Sequence, residues 1–259
     1  MPAFELILMP KLSEQAGLPD VAAIDALAAG EVLRHGDVEL LGRMPWSSNA
    51  TFMTRVSLDV GEVLAIYKPQ RGERPLWDFP EGSLCRREVA ACALSDLLGW
   101  DLVPDTVLRD DLPHGLGSLQ VFVDHDPEEH YFTLLADHGD AFRRFAVFDV
   151  VANNTDRKGG HLLRGDDGRV FGIDHGVCFH EQWKVRTVIW DFGGEAIADT
   201  VLDDLECARD RLIGTHTALD ELLAPGELVA AIARLERLLT TRRYPIADDD
   251  YRNYPWPLV

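Results

Sequence analysis

Residues 153–161, Asn153-Asn154-Thr155-Asp156-Arg157-Lys158-Gly159-Gly160-His161, and the quartet Ile173-Asp174-His175-Gly176 decide how this chain is read. The first stretch is a polar, glycine-containing loop. It follows DAFRRFAVFDVVAN at 140–153, which is amphipathic at helical spacing with Phe142, Phe145, Phe148, Val151 and Ala152 on related faces. Between loop and quartet, HLLRGDDGRVFGI at 161–173 reads as a short hairpin turning on Gly165-Asp166-Asp167-Gly168. A hairpin returns the chain beside its start, so Asp156, His161 and Asp174 can converge. Two carboxylates beside a neutral side-chain ligand, with Arg157 or Lys158 nearby, suit Mg²⁺ bound to phosphates, because magnesium takes few protein carboxylates and completes its shell with water and phosphate oxygens. Each aspartate alone reads equally well as a turn residue that satisfies backbone amides. The upstream sequence decides between the two.

Upstream, Lys68 ends the apolar strand Leu64-Ala65-Ile66-Tyr67-Lys68-Pro69, where it can neutralise a bound phosphate. Glu88 lies in LCRREVAACALSDLL at 84–98, a helix closed by Gly99, and can pair with that lysine. Pro45-Trp46-Ser47-Ser48-Asn49-Ala50 joins two strands ahead of Lys68 and offers amides and hydroxyls to phosphates. It is not a GxGxxG loop, and no GxxxxGK[ST] occurs anywhere.

Further strands are expected at 38–43, 51–58, 62–67 (the last two joined by a turn at 59–61), 105–109 and 118–123. Residues 21–35 read as a short helix broken near Gly30, residues 196–243 as helical, and the Pro- and Tyr-rich stretch 244–259 as irregular. A strand-rich first half with one prominent helix thus precedes a helix-rich second half. This is an α+β chain in two lobes, 1–123 and 124–259, with the acidic DHDPEEH at 124–130 as linker.

The chain has 259 residues, 25 Lys+Arg against 44 Asp+Glu, and a net charge of −19. That balance argues against nucleic acid and anionic membrane surfaces as partners, and leaves phosphate chemistry to a local pocket. Residues 1–14 lack the pattern of a secretory leader, and no apolar run reaches the length of a membrane span, so no integral membrane association is expected. Cys85, Cys92, Cys178 and Cys207 form no CxxC pair and read as small buried hydrophobes in a reduced, cytoplasmic setting. The nine histidines show no HExxH or HxH pattern, and there is no GxSxG elbow.

The ordered set Lys68, Glu88, Gly117-Ser118-Leu119-Gln120-Val121-Phe122-Val123, Asn154-Thr155-Asp156-Arg157 and Ile173-Asp174-His175-Gly176 resembles the phosphatidylinositol 3-/4-kinase-like superfamily. The similarity is nearest to type II phosphatidylinositol 4-kinases and bacterial members, with HipA-type toxin kinases as distant cousins, and spans residues 40–194. The resemblance implies a two-lobed atypical kinase fold, a strand-rich N-lobe with a Lys/Glu pair and a helical C-lobe with the catalytic loop. It implies that Lys68 contacts the α- and β-phosphates of ATP and pairs with Glu88. The loop bearing Ser47, Ser48, Asn49 and Thr51 would cover the phosphates, and Gln120, Val121, Phe122 and Val123 would offer backbone groups to the adenine edge. Asp156 would orient or deprotonate the acceptor hydroxyl, and Asp174 would hold Mg²⁺.

Two departures stand out. His161 occupies the place where the family usually has the asparagine that is the second metal ligand, and imidazole suits Mn²⁺ somewhat better than Mg²⁺. The segment after Asp174, 177–190, is short and carries Lys184 and Arg186 without a dense basic cluster for an inositol-phosphate headgroup. The expected function is therefore ATP-dependent phosphotransfer, with Mg or Mn, to a hydroxyl of a protein (itself included) or a small molecule. An ATP-binding, pseudokinase-like sensor or scaffold and a phosphatidylinositol kinase are the alternatives, with a HipA-like toxin kinase as a weaker one.

Overall fold

Five strands build the first layer, with burial alternating most clearly along residues 61–69. The computed structural model describes residues 17–19, 25–44, 49–249 and 252–259. Readings that fall on residues 1–14, 21–24, Ser47, Ser48 and Asp250 lie outside it. Helix α1 (Ala26–His35) is capped by Asp25, whose side chain accepts from the Ala28 amide at 2.8 Å. The expected break at Gly30 is absent: α1 runs through it. Burial of Ala29, Val32 and Leu33 against the sheet outweighs the roughly 1 kcal/mol a helical glycine costs.

Strands β1 (Asp37–Arg43), β2 (Phe52–Leu58), β3 (Gly61–Pro69), β4 (Thr106–Arg109) and β5 (Gly117–Val121) form one antiparallel sheet in the order β1-β2-β3-β5-β4. The β3–β5 register sets Lys68 opposite Ser118 and Ile66 opposite Gln120. Between β3 and β4 lies helix α2 (Leu84–Leu98), which starts under the Glu73 carboxylate, acceptor for the Leu84 and Cys85 amides, and stops at Gly99 in the left-handed region.

The second half is helical. Short α3 (Tyr131–Leu134) precedes α4 (Gly139–Ala152), which buries Phe142, Phe145, Val147, Phe148 and Val151 completely. The hairpin of β6 (Leu162–Arg164) and β7 (Val170–Gly172) follows. The run expected to be helical from 196 to 243 is three helices: α5 (Asp199–Gly214), α6 (Ala218–Leu222) and α7 (Pro225–Thr241). The Asp220 carboxylate accepts from the Thr217 amide and restarts the helix at α6, and Pro225, which suits a first helical turn, restarts it at α7.

Two apolar clusters result. Val32, Leu33, Val56, Ala65, Tyr67 and Leu119 join α1 to the sheet. The larger cluster unites α4 and α5–α7 with Ala90, Leu94 and Leu98 of α2. Cys85, Cys92 and Cys178 are buried and free, but Cys207 is exposed, because its position on α5 faces away from the cluster. No described helix is long and apolar enough to cross a membrane.

Candidate active site

Strand alternation decides which way Lys68 faces. On β3, Tyr67 is buried in the sheet cluster, which leaves Ile66 and Lys68 on the opposite face, lining a cleft. The Lys68 Nζ donates to Glu88 Oε1 and, at 3.0 Å, to Asp174 Oδ1. Glu88 is 2% exposed, and its second oxygen accepts the His175 amide at 2.9 Å. One buried carboxylate therefore ties together the end of β3, the middle of α2 and the turn after β7. Burial works to lower the lysine pKa, but Asp174 and Glu88 outweigh it and hold the ammonium well above the usual range. Lys68, ahead of the opposing effect of burial, holds the Asp174 carboxyl well below its usual range. Asp174 sits at φ 62°, a left-handed conformation uncommon for aspartate, with its carboxylate in the cleft.

The loop after α4 is held from inside. Asn153 ends the helix at φ 52°, and its side chain donates to the carbonyls of His180 and Gln182. Buried Asn154 donates to Asp149 Oδ1 and accepts the Asp156 amide, each at 3.0 Å. Asp156 pairs with Lys158 at 3.1 Å; burial raises its pKa, with Lys158 pulling the other way and Asp174 adding to the rise. His161 brings Nε2 to 3.5 Å from Asp174 Oδ2, while its Nδ1 faces the Lys158 amide at 3.4 Å. Burial pushes this imidazole down to about 4, against the pull of Asp174, so the ring is neutral at pH 7. The facing amide assigns the ring proton to Nε2.

Arg157 corrects an expectation. It does not face phosphate: it is fully buried, pairs with Asp149 at 3.0 Å, donates to the Ile173 carbonyl at 3.0 Å and contacts His175 Nε2 at 2.6 Å. Buried Asp149 requires an internal partner, and Arg157 supplies it. Lys184 is also committed, to Asp78 at 2.6 Å, and lies over the Trp77 ring.

The cleft holds about 370 Å³. Thr51 ahead of β2, Ile66 of β3, Leu163 of β6 and Ile173 just after β7 contribute to its lining, residues 120–123 form another wall, and Lys68, His125, His161 and Asp174 are its charged or titratable groups. Asn49 is not on that wall, and its side chain accepts the Arg74 amide at 3.0 Å. Of residues 120–123, the Val121 amide is taken by the Asp105 carbonyl and that of Phe122 by Leu64, both at 2.9 Å, and the Gln120 side chain donates to Thr106. An adenine edge would therefore meet carbonyls and the residue 123 end of this wall. There His125, which the sequence assigned to a linker, lines the cleft with Nδ1 2.9 Å from the Val123 carbonyl. The walls are mostly apolar, and at one end stands a single ammonium, Lys68, flanked by the Glu88 and Asp174 carboxylates. Among the described residues no group of three or more His, Cys, Asp or Glu is poised around a metal. A cation held by Asp174 and His161 would have few protein ligands and would need other oxygens to complete its shell.

A family model described as phosphatidylinositol 3- and 4-kinase matches residues 103–193, which include Asp156 and Asp174 but not Lys68 or Glu88. Protein Rv2133c of Mycobacterium tuberculosis is 39% identical over 262 residues, covering 87% of this chain and 94% of that protein. Phosphatidylinositol 4-kinase gamma 4 of Oryza sativa subsp. japonica is 31% identical over 134 residues, 45% of this chain but only 23% of the plant protein. Among solved structures, the Helicobacter pylori proinflammatory kinase CtkA superposes with a TM-score of 0.46 at 11% identity, covering 81% of this chain and 93% of that one.

Proposed function

This chain belongs to the phosphatidylinositol 3-/4-kinase-like superfamily and is a kinase-type phosphotransferase of two-lobed α+β architecture, and on that premise we propose that it transfers the γ-phosphate of ATP to the hydroxyl of a protein, itself included, or of a small molecule. The observation that carries the reading is the continuous contact of Lys68 with Glu88 and Asp174, locked by the His175 amide on Glu88.

In this reading the nucleotide lies between residues 1–123 and 124–259, its base among Ile66, Leu163, Ile173 and residues 120–123. Lys68, held by Glu88, neutralises the α- and β-phosphates. Asp174 holds Mg²⁺ or Mn²⁺, which supplies the remaining neutralisation of phosphate charge. Asp156 orients the acceptor hydroxyl and takes its proton as the new O–P bond forms and the bond to the ADP oxygen breaks. Lys158 keeps the Asp156 carboxylate in place. Positioning and charge supply most of the catalysis, because the phosphoryl transition state needs little covalent help. His161 would be able to hold the metal only through Nε2, with the ring proton on Nδ1, opposite the Lys158 amide. That tautomer cost would weaken His161 as a ligand for either metal, and its nitrogen donor would suit Mn²⁺ better than Mg²⁺.

A protein or small-molecule acceptor is preferred to the lipid in the plant relative's name. Lys184 is already neutralised by Asp78, and the net charge of −19 disfavours an anionic membrane surface. The test is transfer from γ-labelled ATP with Mg²⁺ and Mn²⁺, scored as autophosphorylation and as turnover. Label transfer that disappears in Asp156→Ala, with ATP-analogue affinity kept, is the expected result. Wild-type protein that transfers no label with either metal overturns the reading.

A further inference from the structure

The loop from Asp156 to His161 is held at both ends by neighbours in sequence or across the site. The Arg157 amide donates to the Arg186 carbonyl at 2.9 Å, the Val188 amide returns to the Arg157 carbonyl at 3.1 Å, and the Ile173 amide donates to the His161 carbonyl at 3.0 Å. Between these anchors stands a single-turn 3-10 helix, Gly159–His161. Its buried first residue donates its amide, at 2.7 Å, to the carbonyl of Leu258, nearly a hundred residues on in sequence.

Residues 252–259 reach this point along a defined path. The Asn253 carbonyl accepts from the Thr187 amide at 3.0 Å and from Trp190 Nε1 at 3.1 Å. Thr187 in turn donates its hydroxyl to Asp149 Oδ2 at 3.0 Å, the carboxylate that holds Arg157. The segment then lies over Gly159. A Cβ built there would come within 3.2 Å of the Phe132 ring and 3.3 Å of the Leu258 oxygen, so the glycine is clasped between α3 and the segment.

We propose that residues 252–259 are a positioning element of the phosphotransfer site, with the Leu258 carbonyl setting the Gly159 turn and, through it, the Lys158–Asp156 and His161–Asp174 contacts. The physical reason is local. Gly159 is flanked by Lys158, which salts Asp156, and by the turn that carries His161 to Asp174. Its amide is buried, so without Leu258 the donor must find another partner by moving the turn. A shift of about an ångström at groups that orient reacting atoms lowers turnover far more than it lowers nucleotide binding. Because the interaction uses a backbone carbonyl, the exposed side chains of the segment, such as Trp256, do not carry it.

This rests on the kinase reading, and two readouts keep them separable. In the full protein lacking residues 256–259, Asn253 and its contacts remain. Turnover of γ-labelled ATP should fall by about tenfold or more, with ATP-analogue affinity within about twofold of wild type. Amide exchange should accelerate at 159–161 but not in α4 or β5. Trp256→Ala should keep turnover within about twofold, since it keeps the backbone. Gly159→Ala, whose methyl would press on the Leu258 oxygen, should reproduce the loss of turnover and serves if the deletion fails to fold. Unchanged turnover and unchanged exchange in the deletion overturn the inference, as does a Trp256→Ala loss equal to that of the deletion. Accelerated exchange at 159–161 in a protein with no phosphotransfer overturns the kinase reading and leaves the positioning contact standing.

Discussion

Two ionic networks lie a few residues apart and do opposite work. Lys68, Glu88 and Asp174 meet at the cleft, where Asp174 opens to solvent and the ammonium is within reach of a ligand. Asp149, Arg157, His175 and Thr187 meet in the interior, with Asp149, Arg157 and His175 fully buried. Each is built around an aspartate paired with a cationic side chain. A charge that faces a cleft is available to phosphate and metal, whereas a charge sealed in the core is spent on its neighbours and fixes the backbone around it. Glu88 joins the two, because the His175 amide that it accepts belongs to the turn that Arg157 also holds.

If that division is right, the sealed network should break the fold and the cleft network should break the chemistry. Arg157→Ala leaves Asp149 buried without its partner and should cost about 3–5 kcal/mol of stability, read as a drop in the denaturant midpoint. Near-wild-type stability would mean that Asp149 finds another partner. Lys68→Met should lower turnover by about 10²–10³-fold. Because it leaves the buried Glu88 carboxylate with the His175 amide alone, it should also lower the thermal midpoint, though by less than Arg157→Ala because the lysine itself lines an open cleft. A midpoint fall as large as that of Arg157→Ala, with turnover of the folded protein kept, would place it in the structural class instead.

His161 tests the border between the networks. His161→Asn offers an oxygen to the metal in place of an imidazole nitrogen, and should shift the ratio of Mg²⁺- to Mn²⁺-supported turnover toward Mg²⁺ by about tenfold. An unchanged ratio would show that the ring never ligates and only donates to Asp174. The smallest effect belongs to Asp78→Asn, which should cost under about 1 kcal/mol, because one partly buried pair is lost and Lys184 can turn to solvent. Its informative readout is gain of phosphate affinity by the released lysine, measured with inorganic phosphate. No gain would mean that Lys184 is structural.

Much of the site was legible because short-range patterns carry it. An apolar strand ending in Lys68, a helix bearing Glu88 and closed by Gly99, and a hairpin between His161 and Asp174 are features of local periodicity, capping and turn chemistry. The start of α6 was also written locally, in Thr217 and Asp220, and that of α7 in Pro225, although the run reads as one helical stretch. Arg157 was misread because charge and neighbourhood to Asp156 say nothing about which way a loop side chain turns. The loop closes on the buried face of α4, where Asp149 waits. His125 was hidden inside an acidic stretch that resembles a linker, and Ser47 and Ser48 fall outside the described residues.

The sequence by itself determined the element types, the order of lysine, glutamate and two aspartates, and the acidic balance that confines phosphate chemistry to a pocket. These depend on side-chain period, turn residues and composition, which act within a few positions. Only the tertiary structure decided which charges face the cleft and which are sealed, that the amides of Val121 and Phe122 are already taken by the sheet, and that residues 252–259, an irregular tail when read alone, clasp the Gly159 turn. Those outcomes depend on burial and on contacts between distant segments, and burial is a property of the folded whole that no local pattern encodes.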